Sequence, residues 1–560
     1  MDTLAGDRRR VIVRVALIVV VVAAGATVLS LVVGGGVRRD SGLADGAVAV
    51  AWALPGLRLV AEVAAVLTVG SLLGALVYSP RGDDGALSVA AWRHSRVAAV
   101  AALVWTVAAT LQVLFVTADL TGRAVTGLSA RLVVNTALYV PQGRAQLIAA
   151  VAGLVVFGCA WLAVRPWLLL LALATAAAGI VPAAFAGHAA SSLDHATATT
   201  SLAAHILFAT IWVGGLAALV LHARWCPDGL EVAARRFSAI AVFCFAAVAI
   251  SGLINAWLRV GSIANLAGQG YGSLLQAKLL ALAVLGGIGW WHRQSTLPKL
   301  ADNRSAFIKL AVVEVVIMAA TIGVAVGLSR AQPPGALSVS DLTPADALLG
   351  YRMPDAPTPA SFLLDWRPDL LFTTACMVGA WLYLAAVLRL RRNGTPWPAH
   401  RTLSWLAGVL VVLVATGSGL ARYAPVLFSA HMVVHMLLAM LAPILLVLGA
   451  PITLALRALP ATTDRRYPGA RAWIVAALHS RPVRLLTNPV IAAVLWVGGL
   501  YVMYFSDAYE YALRNHPAHL ALYLHFLLSG YLFFAVLISP DPLPRRVPHM
   551  ARLVVLMASL

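Results

Sequence analysis

The chain repeats one pattern that leaves few folds open to it: runs of about twenty apolar residues, parted by short basic or proline-containing breaks. A bilayer core about 30 Å thick needs roughly 20 apolar residues per helix, and in lipid every backbone polar group must be bonded within a helix or a closed barrel. Such runs lie near residues 11–33, 55–78, 95–117, 145–164, 166–188, 199–222, 236–258, 272–291 and 306–329, then 368–389, 402–422, 426–450, 489–506 and 517–539. Fourteen spans are expected. Arg552–Leu560 is apolar but too short to cross, so the sequence stops inside what reads as a fifteenth helix, and the last segment looks incomplete at its C-terminal end. Charged residues make up 11% of the chain, against roughly 25% in soluble proteins, too few to cover a water-facing surface. The expected fold is all-α: a multi-pass transmembrane bundle of 14–15 spans.

A net charge of +19 would point to nucleic acid in a soluble chain. Here the bases cluster between the apolar runs, so they report topology, and no nucleic-acid partner is expected. With the N-terminus in the cytoplasm, 26 of the 41 Lys and Arg fall at inner helix ends and 12 at outer ends. Arg14, Lys278 and Lys309 lie within helices. The basic start Asp7-Arg8-Arg9-Arg10 leads into Val11–Val33, which is long enough to span and reads as a retained helix rather than a cleaved signal. Between Ser329 and Asp369 stand seven prolines, a density that breaks helices and marks a linker. The expected segments are 1–184, 185–335, a linker at 336–367 on the outer side, and 368–560.

Cys159, Cys226, Cys244 and Cys376 form no CxxC pair, so metal chemistry falls to His, Met or carboxylates. Topology sorts the fourteen histidines. His94, His222, His292, His400, His479 and His549 fall among inner arginines and read as solvated or interfacial. His188, His195, His205, His431, His435, His516, His519 and His525 fall at outer ends or in outer halves. His431 and His435 are four apart, so about 40° separates them on a helix and they share a face. His435 lies roughly 13 Å below the helix start, where an unpartnered imidazole is costly. Met432 and Met436 repeat the spacing on the adjacent face. Imidazole with thioether suits Cu(I), whereas hard cations are poorly served. Helix–helix hydrogen bonding with methionine packing is the competing reading. His519 and His525 stand about 120° apart on a later helix, with His525 about 12 Å deep, so one of the two is expected to face the first pair. His516 reads as interfacial. A helical hairpin would bring His188 to His205 as an entry site, against plain helix-end hydrogen bonding. Glu62, Lys278 and Glu314 are intramembrane charges; Glu62 and Lys278 lie at similar depth and are expected to pair.

These residues resemble two families. Phe428-Ser-Ala-His-Met-Val-Val-His-Met-Leu-Leu, the run Ala442 to Pro451, and His525-Phe-Leu-Leu-Ser-Gly-Tyr-Leu-Phe-Phe534 resemble the CtaG-type cytochrome c oxidase assembly factors over most of 368–550. That resemblance implies copper handling during oxidase assembly, with His431, His435, His519 and His525 as the positions to carry over. A further His-containing helix of the family pattern lies beyond the last residue. Gly187-His188, His205 with Trp212-Val-Gly-Gly215, Arg236-Phe-Ser238, Tyr271-Gly272 ahead of Lys278, Glu314 and Pro333-Pro334 are similar to the CopD family of copper resistance and uptake proteins over about 185–335. This implies copper passage into or across the membrane, with His188 and His205 carried over.

Together they give a membrane protein that takes copper on the outer face and supports its insertion into the oxidase, with oxidase subunits or copper chaperones as partners. Exchange between His/Met sites needs no covalent catalysis, so no enzyme is expected. The sequence holds no phosphate-cradling loop for ATP. Two rivals stay open: a b-type haem electron-transfer protein, since membrane histidines also ligate haem, and a metal-free assembly scaffold.

Overall fold

A computed structural model describes the chain except residues 1, 37–45, 83–84, 187–193, 269, 335–342, 463, 465, 545–547 and 559–560. It is all-α, and among the described residues thirteen helices are long and apolar enough to cross a membrane. A fourteenth crossing exists only if Pro489–Tyr504 and Ala508–Arg514, bent by 75° to one another, count as one span. The span expected at 489–506 corresponds to Pro489–Tyr504. Sixteen residues make about 24 Å of helix, and the chain then turns through Phe505-Ser506-Asp507, where Ser506 accepts the Ala508 N–H. The chain divides into two compact units, 1–338 and 339–560.

The first unit holds α1 (Asp2–Val33), α2 (Gly46–Leu73), α3 (Val89–Thr121), α4 (Ala130–Tyr139), α5 (Pro141–Leu162), α6 (Pro166–Ile180), α7 (His195–Trp225), α8 (Leu230–Val260), α9 (Tyr271–Trp291) and α10 (Arg304–Leu328). Lipid gives helices no hydrophobic reason to associate, so small residues that let backbones approach carry the packing. Gly323 and Gly327, four apart on α10, sit against Ala23, Thr27 and Ser30 of α1, and the Ser30 hydroxyl donates to the Gly323 carbonyl at 3.2 Å. Gly70 of α2 lies against Gly214 of α7 with no room for a side chain on either. Around α7 the core gathers Tyr78, Trp212, Leu216, Leu219, Phe237 and Phe307. Two π-turns follow long helices, at Gly74–Tyr78 and His292–Thr296. Such turns are rare and concentrate at functional places.

The second unit holds α11 (Pro344–Leu349), α12 (Pro359–Leu364), α13 (Leu370–Arg392), α14 (Ala399–Gly417), α15 (Gly419–Tyr423), α16 (Phe428–Met436), α17 (Ala442–Leu448), α18 (Pro451–Ala458), α19 (Ala470–Leu478), α20 (Arg481–Leu486), α21 (Pro489–Tyr504), α22 (Ala508–Arg514), α23 (His516–Ile538) and α24 (His549–Ala558). A π-turn, Leu437–Leu441, joins α16 to α17. Gly530 of α23 packs against the Ala439 carbonyl and Pro443 at that turn. Asp541 accepts from the Ile452 and Thr453 N–H groups and the Thr453 hydroxyl, capping α18.

Candidate functional site

The spacing of His431 and His435 does what a helix requires of it. Both lie on α16, 1% and 2% exposed, on one face. Their nitrogens converge on a third group, the Tyr504 hydroxyl at the end of α21: His431 Nε2 at 2.9 Å and His435 Nδ1 at 3.1 Å. A phenol carries one proton, so one ring must donate to it and the other accept from it. If His431 Nε2–H donates, Tyr504 donates to His435 Nδ1, and the buried His431 Nδ1, which has no hydrogen-bond partner, is left as a bare lone pair. The opposite assignment would bury an N–H there without an acceptor, the more costly choice. The preferred tautomers therefore leave a free nitrogen donor pointing into the protein. His435 stacks on Phe526 of α23 at 3.9 Å between centroids, and Tyr509 and Phe428 wall His431.

On α23, the His519 ring packs against Tyr523 with centroids 4.3 Å apart and planes tilted by 52°. His519 Nε2, Tyr523 Oη and His525 Nε2 are all buried without hydrogen-bond partners, and the His525 ring lies against Gly499. Among the described residues no three of His, Cys, Asp and Glu converge on one point. Met436 is 49% exposed, because one residue beyond His435 is about 100° around the helix; Met432 is half-buried. The set brought together is thus His431, His435 and Tyr504. The donor atoms fit a soft cation: imidazoles with unpaired nitrogens behind aromatic walls.

In the first unit His205 sits one turn below Ser201 on α7 and faces α8. Its Nδ1 lies 3.2 Å from both the Val248 carbonyl and the Ser251 hydroxyl. A carbonyl only accepts, so Nδ1 carries the proton and Nε2 offers its lone pair, the orientation that metal-ligating histidines usually take. Asn255 bonds Ser201 Oγ at 2.8 Å beside it. His188 lies outside the described residues. Tyr504, Ser201, Ser251 and Asn255 are not singled out by sequence. Ser201–His205 and Ser251–Asn255 repeat a polar spacing of four within apolar helices, which is a readable signal. Tyr504, 69 residues after His435, offers none.

Two sequence expectations are overturned. His94, His222 and His292 are not solvated: the first two are 0% exposed and the third 9%. Their arginine neighbours lie on other faces of the same helical turns, so the rings point inward. Glu62 is ion-paired with Arg58, one turn earlier on α2, at 2.8 Å rather than with Lys278. Glu314 stands 3.8 Å from His292 Nε2. His400, His479 and His549 are exposed, as expected.

Residues 381–560 match the cytochrome c oxidase caa3 assembly factor family, 231–328 match copper resistance protein D, and 43–198 match the copper resistance protein D-like N-terminal domain. The chain therefore joins CopD-type copper resistance domains to a CtaG-type assembly-factor domain. Uncharacterized proteins of Mycobacterium tuberculosis and Mycobacterium leprae are 45% and 41% identical to it over 213 residues, 38% of this chain and 32% of each relative. The chain thus spans about a third of the length of these curated relatives. The Bacillus subtilis protein named copper transport protein CutJ is 34% identical over 113 residues, 19% of this chain and 21% of that one. No solved structure matches. With its helices and these relatives, this is a multi-pass bacterial membrane protein of the CopD type with a CtaG domain.

Proposed function

We propose that the chain binds Cu(I) as cargo through imidazole nitrogens at the outer ends of its helices and supplies it to assembly of a haem–copper oxidase. The observation that carries this reading is the convergence of His431 and His435 on Tyr504, with His431 Nδ1 buried and unpaired, inside the region that matches the assembly factors. His205, its Nε2 turned away from the carbonyl that fixes its tautomer, is the receiving ligand of the CopD-like part, with His188 as the partner to seek. His519 and His525 complete the C-terminal site once their unpaired Nε2 atoms turn toward the α16 pair; Met432 and Met436 are the sulfur donors to test beside them. The N-terminus is cytoplasmic, and copper chaperones or oxidase subunits exchange the ion at the outer face.

Copper titration of the purified full-length protein against a chromogenic Cu(I) chelator tests this. The His431→Ala/His435→Ala variant should lose at least one copper equivalent. Undiminished copper in that variant overturns the reading, and so does a Soret band in the wild-type protein, which would assign the histidines to haem.

A further inference from the structure

His94 on α3 and His222 near the end of α7 are the two most completely buried histidines described, both at 0% exposure. His94 Nε2 and His222 Nδ1 stand 3.3 Å apart, the ring centroids 5.5 Å apart and the planes within 15° of parallel. Rings stacked face to face at that centroid separation could not bring two nitrogens so close. The rings therefore lie end to end in nearly one plane, with two in-plane lone-pair directions aimed at each other. Trp225 stands edge-on to His94 at 4.8 Å and Tyr78 edge-on to His222 at 6.1 Å, so aromatic rings flank the contact. Gly74, in the π-turn, leaves the space that the His94 ring fills. Arg236 donates to the Val77 carbonyl at 2.7 Å and ties α8 to the same turn.

As a structural contact this is a poor arrangement. One hydrogen bond joins the rings, and whichever ring donates, the remote nitrogens, His94 Nδ1 and His222 Nε2, stay buried without partners. An apolar pair would join α3 to α7 at lower cost. Two opposed, neutral imidazole nitrogens are instead what a two-coordinate ion needs. Metal–imidazole bonds run about 2.0 Å, as for zinc, so an ion in line would part the nitrogens to about 4 Å. That opening is well under one ångström. No third His, Cys, Asp or Glu joins the pair among the described residues, and the solvation cost of an ion rises with the square of its charge. A soft monovalent cation satisfies both limits.

We infer that His94 and His222 form a second, two-coordinate Cu(I) site, at the far end of α7 from His205. His205 and His222 are seventeen positions apart on that helix, about 25 Å, so the one element carries two well-separated ligands, His205 ten residues from its start and His222 three from its end. The geometry calls for a soft monovalent ion; that the ion is copper rests on the function proposed above.

The test uses the full-length protein loaded anaerobically with Cu(I), with chelator competition for stoichiometry and X-ray absorption for geometry. The wild-type spectrum should contain the intense near-edge feature of linear two-nitrogen copper. His94→Asn and His222→Gln should each lose that feature and one copper equivalent, whereas His205→Ala and His431→Ala/His435→Ala should keep the feature. Unchanged copper and spectrum in His94→Asn and His222→Gln overturn the inference while leaving the C-terminal reading intact. The reverse result, with copper lost only in those two variants, sinks the C-terminal reading and supports this one. Copper-edge anomalous diffraction from the wild-type protein depends on no variant. A peak between the two rings confirms the site, and none in copper-loaded crystals refutes it.

Discussion

Tyr504 holds two imidazoles with one hydroxyl, and its removal separates the structural part of the site from the ligating part. Tyr504→Phe should leave two buried ring nitrogens without a partner and lower stability by about 1–3 kcal/mol, while the copper equivalents of His431 and His435 stay. Thermal unfolding alongside chelator titration checks both halves, and lost copper with unchanged stability would invert the roles. At the His205 site the fixed point is a main-chain carbonyl, so Ser251→Ala should retain the tautomer and weaken copper binding there by under tenfold, below the 10–100-fold usual for loss of an orienting partner. What is legible at this scale is spacing within one helix: His431 and His435, four apart, fall on a shared face by helical periodicity alone. Tyr504 is not legible, because α21 meets α16 only through the tertiary fold. His94 and His222 mislead because Arg93, Arg96 and Arg224 suggest water. In a helix, adjacent positions point about 100° apart, so a basic neighbour says little about where a ring goes.

Among the elements, α1 is held to α10 by contact between small residues rather than by large apolar ones. Gly327→Val places a branched side chain against Ser30 and should cost at least about 1–3 kcal/mol through overpacking, seen as a lower melting temperature. An unchanged one would mean that α1 is not seated there. Outside the spans, α11 begins with a capping box in which Thr343 and Asp346 bond each other's backbone N–H groups. The Met353 N–H at 2.7 Å, the Thr343 hydroxyl and the Thr343 N–H hold the Asp346 carboxyl below its ordinary value of 3.8. A depressed folded-state value means that this stabilisation is complete above the ordinary aspartate range and is lost as pH falls through the lower, folded value. Asp346→Ala should therefore speed hydrogen exchange at Met353 at neutral pH, after correction for intrinsic rates. The wild type should show the same loosening only in strong acid. Runs of twenty apolar residues make the helices readable in sequence. The 75° bend after Tyr504 is not readable there, since Phe505-Ser506-Asp507 sits at the end of a run as any loop would.

For the whole molecule, the distribution of Lys and Arg sets an orientation that labelling can test. In a protein whose four cysteines are first replaced by alanine, Ala461→Cys, beside the Arg457–Arg484 cluster, should react only with reagents admitted to the cytoplasm. Ala356→Cys, in the proline-rich stretch, should react from outside. Labelling in the opposite sense would place His431 and His435 at the inner face and overturn outer capture. The two compact units, 1–338 and 339–560, each carry buried imidazoles at a π-turn or within a few residues of one. A π-turn is an α-helix with one residue too many, and that surplus decides the facing of everything downstream. With every residue kept, winding Leu437–Leu441 as uninterrupted α-helix would rotate Pro443 and its successors by about 100°, off the notch at Gly530. So small a change of winding, with every ligand retained, would uncouple the imidazole-bearing segment from the helix it leans on.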